Sequence, residues 1–143
     1  MPEGVWRRRM LKRIHHVGIV VDSIERALIF WRDTLGLKLV KSAVVADQGV
    51  RAALLDAGSA EVELLEPLSA ESGVGRFLAR RGGGLHHLCF ETDDVASDLA
   101  VAQAKELPLI DLRPRPGLAG MVCFLHPRAT RGVLIEYAQP IEE

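Results

Sequence analysis

Ile14 to Leu28 reads IHHVGIVVDSIERAL, and Leu85 to Leu99 reads LHHLCFETDDVASDL. An offset of 71 carries Ile14 onto Leu85, His15 onto His86, His16 onto His87, Asp22 onto Asp93, Ile24 onto Val95 and Leu28 onto Leu99. Two His-His doublets in register mark an internal duplication, and a repeated unit decides the architecture before any local reading does. The far ends echo as well, VELLEP (Val62 to Pro67) against IEYAQP (Ile135 to Pro140) at an offset of 73, so the second copy carries two more residues.

Each copy has one pattern. IHHVGIVV is an apolar, β-rich run; Asp22 with Glu25 three residues on resembles a capping box, and Ile24, Ala27, Leu28 and Trp31 then follow helical spacing. Gly36 ends that helix. Strand-like runs at 37–46, 49–56 and 60–66 follow, separated by turn residues such as DQG and DAGS. In the second copy Asp94 opens a helix carrying Val95, Leu99 and Ala102, Pro108 stops it, and runs at 109–113, 121–126 and 132–138 complete the set. The expected fold is α+β: two tandem βαβββ modules, about 14–67 and 85–140, forming a curled mixed sheet around a metal cleft. The linker 68–84 holds an amphipathic helix (Val74, Phe77, Leu78) before Gly82-Gly83-Gly84, which suits a lid.

Composition narrows the class of partner. The chain has 143 residues, 48% hydrophobic and 26% charged, which is one globular domain rather than a disordered chain. With 18 basic and 19 acidic residues it has no field to draw it to nucleic acid or membrane, so a small molecule is the expected partner. Cys89 and Cys123 sit in apolar runs without CxxC spacing and read as buried thiols in the cytoplasm. Residues 1–13, basic and without an apolar core, read as a flexible tail rather than a secretory signal.

Side chains alternate along a strand, so parity sorts the polar residues. His16 shares a face with Gly18 and Val20, and His87 has the same position in the second copy. In the last strand of each copy Val62/Leu64 and Val133/Ile135/Tyr137 should pack on the helix side, which turns Glu63 and Glu136 the other way. Each module thus contributes one His and one Glu to its helix-free face. Two imidazoles and two carboxylates suit Co, Ni, Mn, Zn or Fe in divalent form. The same parity sends His15 and His86 to the helix-packed face, and His126, before Pro127, reads as a turn residue.

The duplicated units resemble the vicinal oxygen chelate superfamily, the fold of glyoxalases, extradiol dioxygenases and bleomycin-binding proteins. Within it, IHHVGIVVDSIERALIFWRDTLGLKLV, DQGVRAALLDAGSAEVELLEPL, FLARRGGGLHHLCFETDD, LRPRPGLAG and FLHPRATRGVLIE are similar to successive blocks of the methylmalonyl-CoA epimerases, from about Arg13 to Tyr137. LHHLCFE and FLHP…GVLIE carry most of that similarity, and the DTLGL-type helix end is common throughout the superfamily.

The resemblance implies metal ligation by His16, Glu63, His87 and Glu136, the four residues that parity selects. It also implies an acyl-CoA thioester substrate, a homodimer, and interconversion of (2R)- and (2S)-methylmalonyl-CoA by α-proton removal through a metal-stabilised enolate. Glu136 is the candidate for one base. The second is open: some relatives carry a glutamate where this chain has Ala52, and Glu61, Gln48 or a metal-bound water are the alternatives. Glu91 lies four residues from His87, about 13 Å along a strand, too far for direct transfer. Arg113 and Arg115 resemble the family's PRPG loop and suit CoA phosphates. Arg128 to Arg131 depart from the Lys, Ser and Gly of relatives. A glyoxalase I-like lyase and a metal-free binding protein of the same fold are the rival readings, and fold alone does not separate them.

Overall fold

The computed structural model describes residues 11–141. The first module comprises β1 (Leu11–Val20), α1 (Ile24–Leu28), β2 (Lys38–Val45), β3 (Val50–Asp56) and β4 (Glu61–Pro67). After the linker helix α2 (Gly73–Arg81), the second comprises β5 (Gly84–Thr92), α3 (Val95–Ala104), β6 (Arg115–Gly117), β7 (Gly120–Leu125) and β8 (Ile135–Gln139). The eight strands form one sheet in the order β2-β3-β4-β1-β5-β8-β7-β6. β1 and β5 run antiparallel down its middle, and each pairs in parallel with the last strand of its own module, β1 with β4 and β5 with β8. The two sheet edges approach each other through side chains: Lys41 Nζ donates to the Leu118 carbonyl at 2.9 Å, and Arg115 Nη1 to the Asp47 carbonyl at 3.2 Å. The sheet therefore curls almost into a barrel.

Its convex face is covered by helices. Leu28, Ile24 and Ala27 of the first helix pack with Ala53, Leu55 and Leu64, while Val95 and Leu99 of α3 pack with Cys123, Leu125 and Tyr137. The concave face has its own apolar wall of Val20, Val50, Ala52, Leu54 and Leu65, joined by Val74 of α2 and by Leu118. The linker helix is thus anchored on the inner wall through Val74, with Phe77 and Leu78 beside it.

Several local expectations change. β1 begins at Leu11, so residues 11–13 are strand rather than tail, and the remainder of that tail lies outside the described residues. The N-cap of α1 is Ser23, whose hydroxyl accepts from the Arg26 N–H at 3.2 Å, and Asp22 instead pairs with the Arg26 guanidinium. Beyond Leu28 the helix widens into a π-type turn over Ile29–Thr34 and stops at Gly36, which takes φ +81°. The run 109–113 is no strand: Leu109 makes a single bridge to Leu125, and the Asp111 carboxylate takes the Phe124 N–H at 2.8 Å. The strand beside β7 is β6, where Pro116 lies on the sheet's outer edge and its missing N–H costs no ladder bond. β8 starts only at Ile135, leaving Val133 half-exposed outside it. His126 is a turn residue as expected, its Nδ1 accepting from the Arg128 N–H.

Cys89 and Cys123 are buried and unpaired. Among the described residues no helix is long and apolar enough to cross a membrane. Leu64 is fully buried between the sheet and α1, whereas Val44 is 59% exposed. Leu64→Ala is expected to cost about 2–5 kcal/mol and Val44→Ala less than about 0.5 kcal/mol, measured by urea unfolding.

Candidate metal centre

One irregularity in each central strand builds the site. In the β1–β5 ladder Ile14 pairs with Phe90 but His16 pairs with Cys89, so His15 is an extra residue on β1. Further along, Gly18 pairs with His87 but Ile19 pairs with Leu85, so His86 is an extra residue on β5. These are β-bulges, in which two residues oppose one and strict alternation fails. The bulges occur at the two positions related by the internal repeat, and they turn both histidines of each doublet into the curl. The expected helix-side placement of His15 and His86 does not hold.

His16 and His87 reach inward with their Nε2 atoms 3.1 Å apart. Glu136 Oε1 lies 3.0 Å from both, and Glu63 Oε1 lies 3.2 Å from His16 Nε2 and 3.3 Å from His87 Nε2. All four residues are at most 5% exposed. Ligands bound at ~2.1 Å around an octahedral ion are separated by about 3.0 Å when adjacent, so these contacts match the edges of a coordination shell. Five of the six donor–donor separations are short.

Close packing also explains why small residues face these four side chains. A Cβ at Gly18 would lie 2.1 Å from the His87 ring. Cys89, paired with His16, is the matching residue on the other strand. Behind each inner histidine stands its neighbour: His15 Nδ1 lies 2.8 Å from His16 Nδ1, and His86 Nδ1 lies 2.9 Å from His87 Nδ1.

Electrostatics match a cation site. Burial disfavours charge on His16, but contacts with Cys89, Glu136 and Glu63 outweigh it and hold its imidazolium well above the ordinary range. Burial likewise opposes charge on His87, yet Glu136 and Glu63 raise it to about 9. Burial alone would raise both carboxyls, and the two imidazoles reverse that, so Glu63 and Glu136 are depressed. Both outer rings are shifted toward the neutral form: burial and then His87 push His86 down to about 4, and burial and then His16 lower His15.

The other expected site residues divide between two sides of the centre. Glu61 lies behind His15, with Oε1 3.6 Å from His15 Nε2, and lines a pocket with His15, Lys41 and Leu54 rather than joining the donor atoms. Burial raises its carboxyl. Gln48 lines the opposite pocket, of about 230 Å³, with Val74, His86, Arg115, Phe124 and Leu134. Arg115 is engaged by Asp111 at 3.0 Å and stacks on Phe124, whereas Arg113 is exposed. Ala52 is buried in the inner apolar wall. Glu91 pairs with Arg13 and Lys12 at the surface. Sequence reasoning missed His15 and His86; the doublet in both copies was the available signal, since alternation explains only one member of each pair.

The chain matches the Glyoxalase/Bleomycin resistance protein/Dioxygenase superfamily over residues 15–124 and belongs to it. YqjC of Bacillus subtilis, an uncharacterized protein, is 40% identical over 91% of this chain and 94% of its own. The ethylmalonyl-CoA/methylmalonyl-CoA epimerase of Cereibacter sphaeroides is 34% identical, over 91% of this chain and 99% of its own. A variant of the methylmalonyl-CoA epimerase of Streptomyces coelicolor, solved in complex with 2-nitronate-propionyl-CoA, shares 37% identity, covering 92% of this chain and 99% of its own at a TM-score of 0.87. Within the superfamily the chain stands in the methylmalonyl-CoA epimerase family.

Two outcomes follow from the geometry. His87→Ala removes a donor and Gly18→Ala drives a methyl group into the His87 ring, so both are expected to lose most bound Co, read by elemental analysis after desalting. Metal and protons compete for His16 and His87. Because the folded protein without metal holds His87 at about 9, above the ~6.5 of an unfolded chain, protonation stabilises that form fully below ~6.5 and the gain is lost as pH rises through 9. Metal affinity should accordingly rise with pH through about 9, with protons released on binding, measured by titration calorimetry in buffers of different ionisation enthalpy.

Proposed function

We propose that this chain is a metal-dependent epimerase interconverting (2R)- and (2S)-methylmalonyl-CoA by removal and return of the α-proton. The observation that carries the reading is the convergence of Glu136 Oε1 on both ligand imidazoles, 3.0 Å from each, in a curl where Glu63 completes the donor set. The epimerase names of the relatives support the substrate class. A divalent ion such as Co, Mn, Ni or Zn held there supplies Lewis-acid stabilisation of negative charge developing on the thioester oxygen.

The protein's own residues do the rest. Glu136, whose Oε1 is the oxygen that meets both imidazoles, enters as proton acceptor through its second oxygen, the one that takes the α-proton. The pocket beside His86, with Val74, Phe124 and Leu134 as walls, suits the acyl group, and among its polar side chains we assign Gln48 to handling a proton on the second face. Arg113, exposed two residues from the engaged Arg115, is the better partner for a CoA phosphate. A homodimer in the cytoplasm is the assembly and compartment we assign, in keeping with the prevalence of two-fold enzymes and with two buried, unpaired thiols.

Deuterium uptake at the α-carbon of methylmalonyl-CoA in D₂O with added Co tests this directly. Wild-type protein should exchange rapidly, and Glu136→Gln should lose about 10²–10⁴-fold in rate, the usual contribution of a general base. Absence of exchange together with turnover of the methylglyoxal–glutathione hemithioacetal would replace the epimerase reading with that of a lyase.

A further inference from the structure

The two bulges place a second histidine behind each ligand histidine, and the two arrangements are not alike. An imidazole that gives its Nε2 lone pair to an ion carries its proton on Nδ1. For His16 and His87 that proton points at the Nδ1 of His15 and His86, at 2.8 and 2.9 Å. Each outer ring must then accept at Nδ1 and carry its own proton on Nε2. On the first side that Nε2–H faces Glu61, whose Oε1 is 3.6 Å away. On the second side the His86 ring lies edge-on against Phe77, with centroids 5.0 Å apart, and no carboxylate pairs with it among the described residues.

We propose that His15 and His86 are positioning residues that lock the tautomer and ring orientation of the two ligand histidines, and that Glu61 reinforces this on the His16 side alone. The inference rests on reading the four inner donors as a metal centre. Glu61 polarises His15, which makes His16 the more basic and more firmly held ligand; His87, backed by a ring that ends on an aromatic edge, is the weaker of the pair. The role of Glu61 is then to act through His15 and not as a base on substrate. Outer partners of this kind typically contribute 10–100-fold in metal affinity.

The test uses the full chain with Co(II) as the probe. Affinity is read by competition with a chromogenic chelator, and the ligand imidazole N–H protons by their strongly shifted, exchangeable ¹H NMR signals. His15→Ala should weaken Co binding by about 10–100-fold and His86→Ala by less, each broadening one N–H signal through faster exchange with solvent. His15→Asn and His86→Asn place a carbonyl oxygen where Nδ1 was and should restore both affinity and signal. Glu61→Gln should weaken Co severalfold and shift the His16 signal only, whereas Phe77→Leu should leave affinity within about twofold. Wild-type affinity and unchanged signals in both alanine variants overturn the proposal, as does an Asn variant that behaves like Ala, which would mean packing rather than hydrogen bonding. An inert Glu61→Gln overturns the asymmetry. Failure of the wild-type chain to take up Co is a different result, since it removes the metal-centre reading beneath the proposal.

Discussion

Four ionisable side chains meet at one buried point, and the remainder of the structure accommodates that meeting. Isolated charges at such depth are prohibitively costly, so the site is tenable only because two carboxylates face two imidazoles at hydrogen-bonding distance and can exchange protons for a divalent ion. The need for close approach explains Gly18 opposite the His87 ring, where any β-carbon would collide, and the small Cys89 opposite His16. It also explains the apolar lining around the cluster, with Val20, Leu54, Leu65 and Phe124 keeping the local dielectric low, which strengthens the interaction of every group in the site with a cation.

The duplication supplies this arrangement economically. Antiparallel pairing of β1 with β5 brings equivalent positions of the two copies into contact, so a single His and a single Glu per copy become a four-donor set. The copies have since diverged around that shared centre. One flank keeps a polar lining with Glu61 and Lys41; the other has Phe124, Leu134 and Val74, with Gln48 and Arg115 at its rim. A pseudo-symmetric core thus carries two chemically unlike flanks.

Closure of the curl rests on weaker terms. Every neighbouring pair of strands is joined by a backbone ladder, but the edges β2 and β6 meet through side chains of Lys41 and Arg115 reaching carbonyls across the seam. The short β6, interrupted by Pro116, cannot extend a ladder there. The sheet is thereby kept from becoming a sealed barrel, and the interior remains reachable along that seam.

Much of this was legible from residues alone. The 71-residue offset required two like modules, helical spacing after Asp22 and Asp94 located both sheet-covering helices, and strand parity selected His16, Glu63, His87 and Glu136, because alternation is a local property of extended chain. What parity misjudged were His15 and His86, whose inward turn depends on bulges; a bulge is a mismatch in length between two paired strands, and it exists only once β1 and β5 are side by side. The strand expected at 109–113 failed for a related reason, since Asp111 found the Phe124 N–H, a partner set by tertiary packing rather than by its neighbours in sequence. Local chemistry thus determined the repeated pattern and which four polar side chains share one face. Only the paired strands decided what stands behind those donors, because that choice is made by register between segments some seventy residues apart.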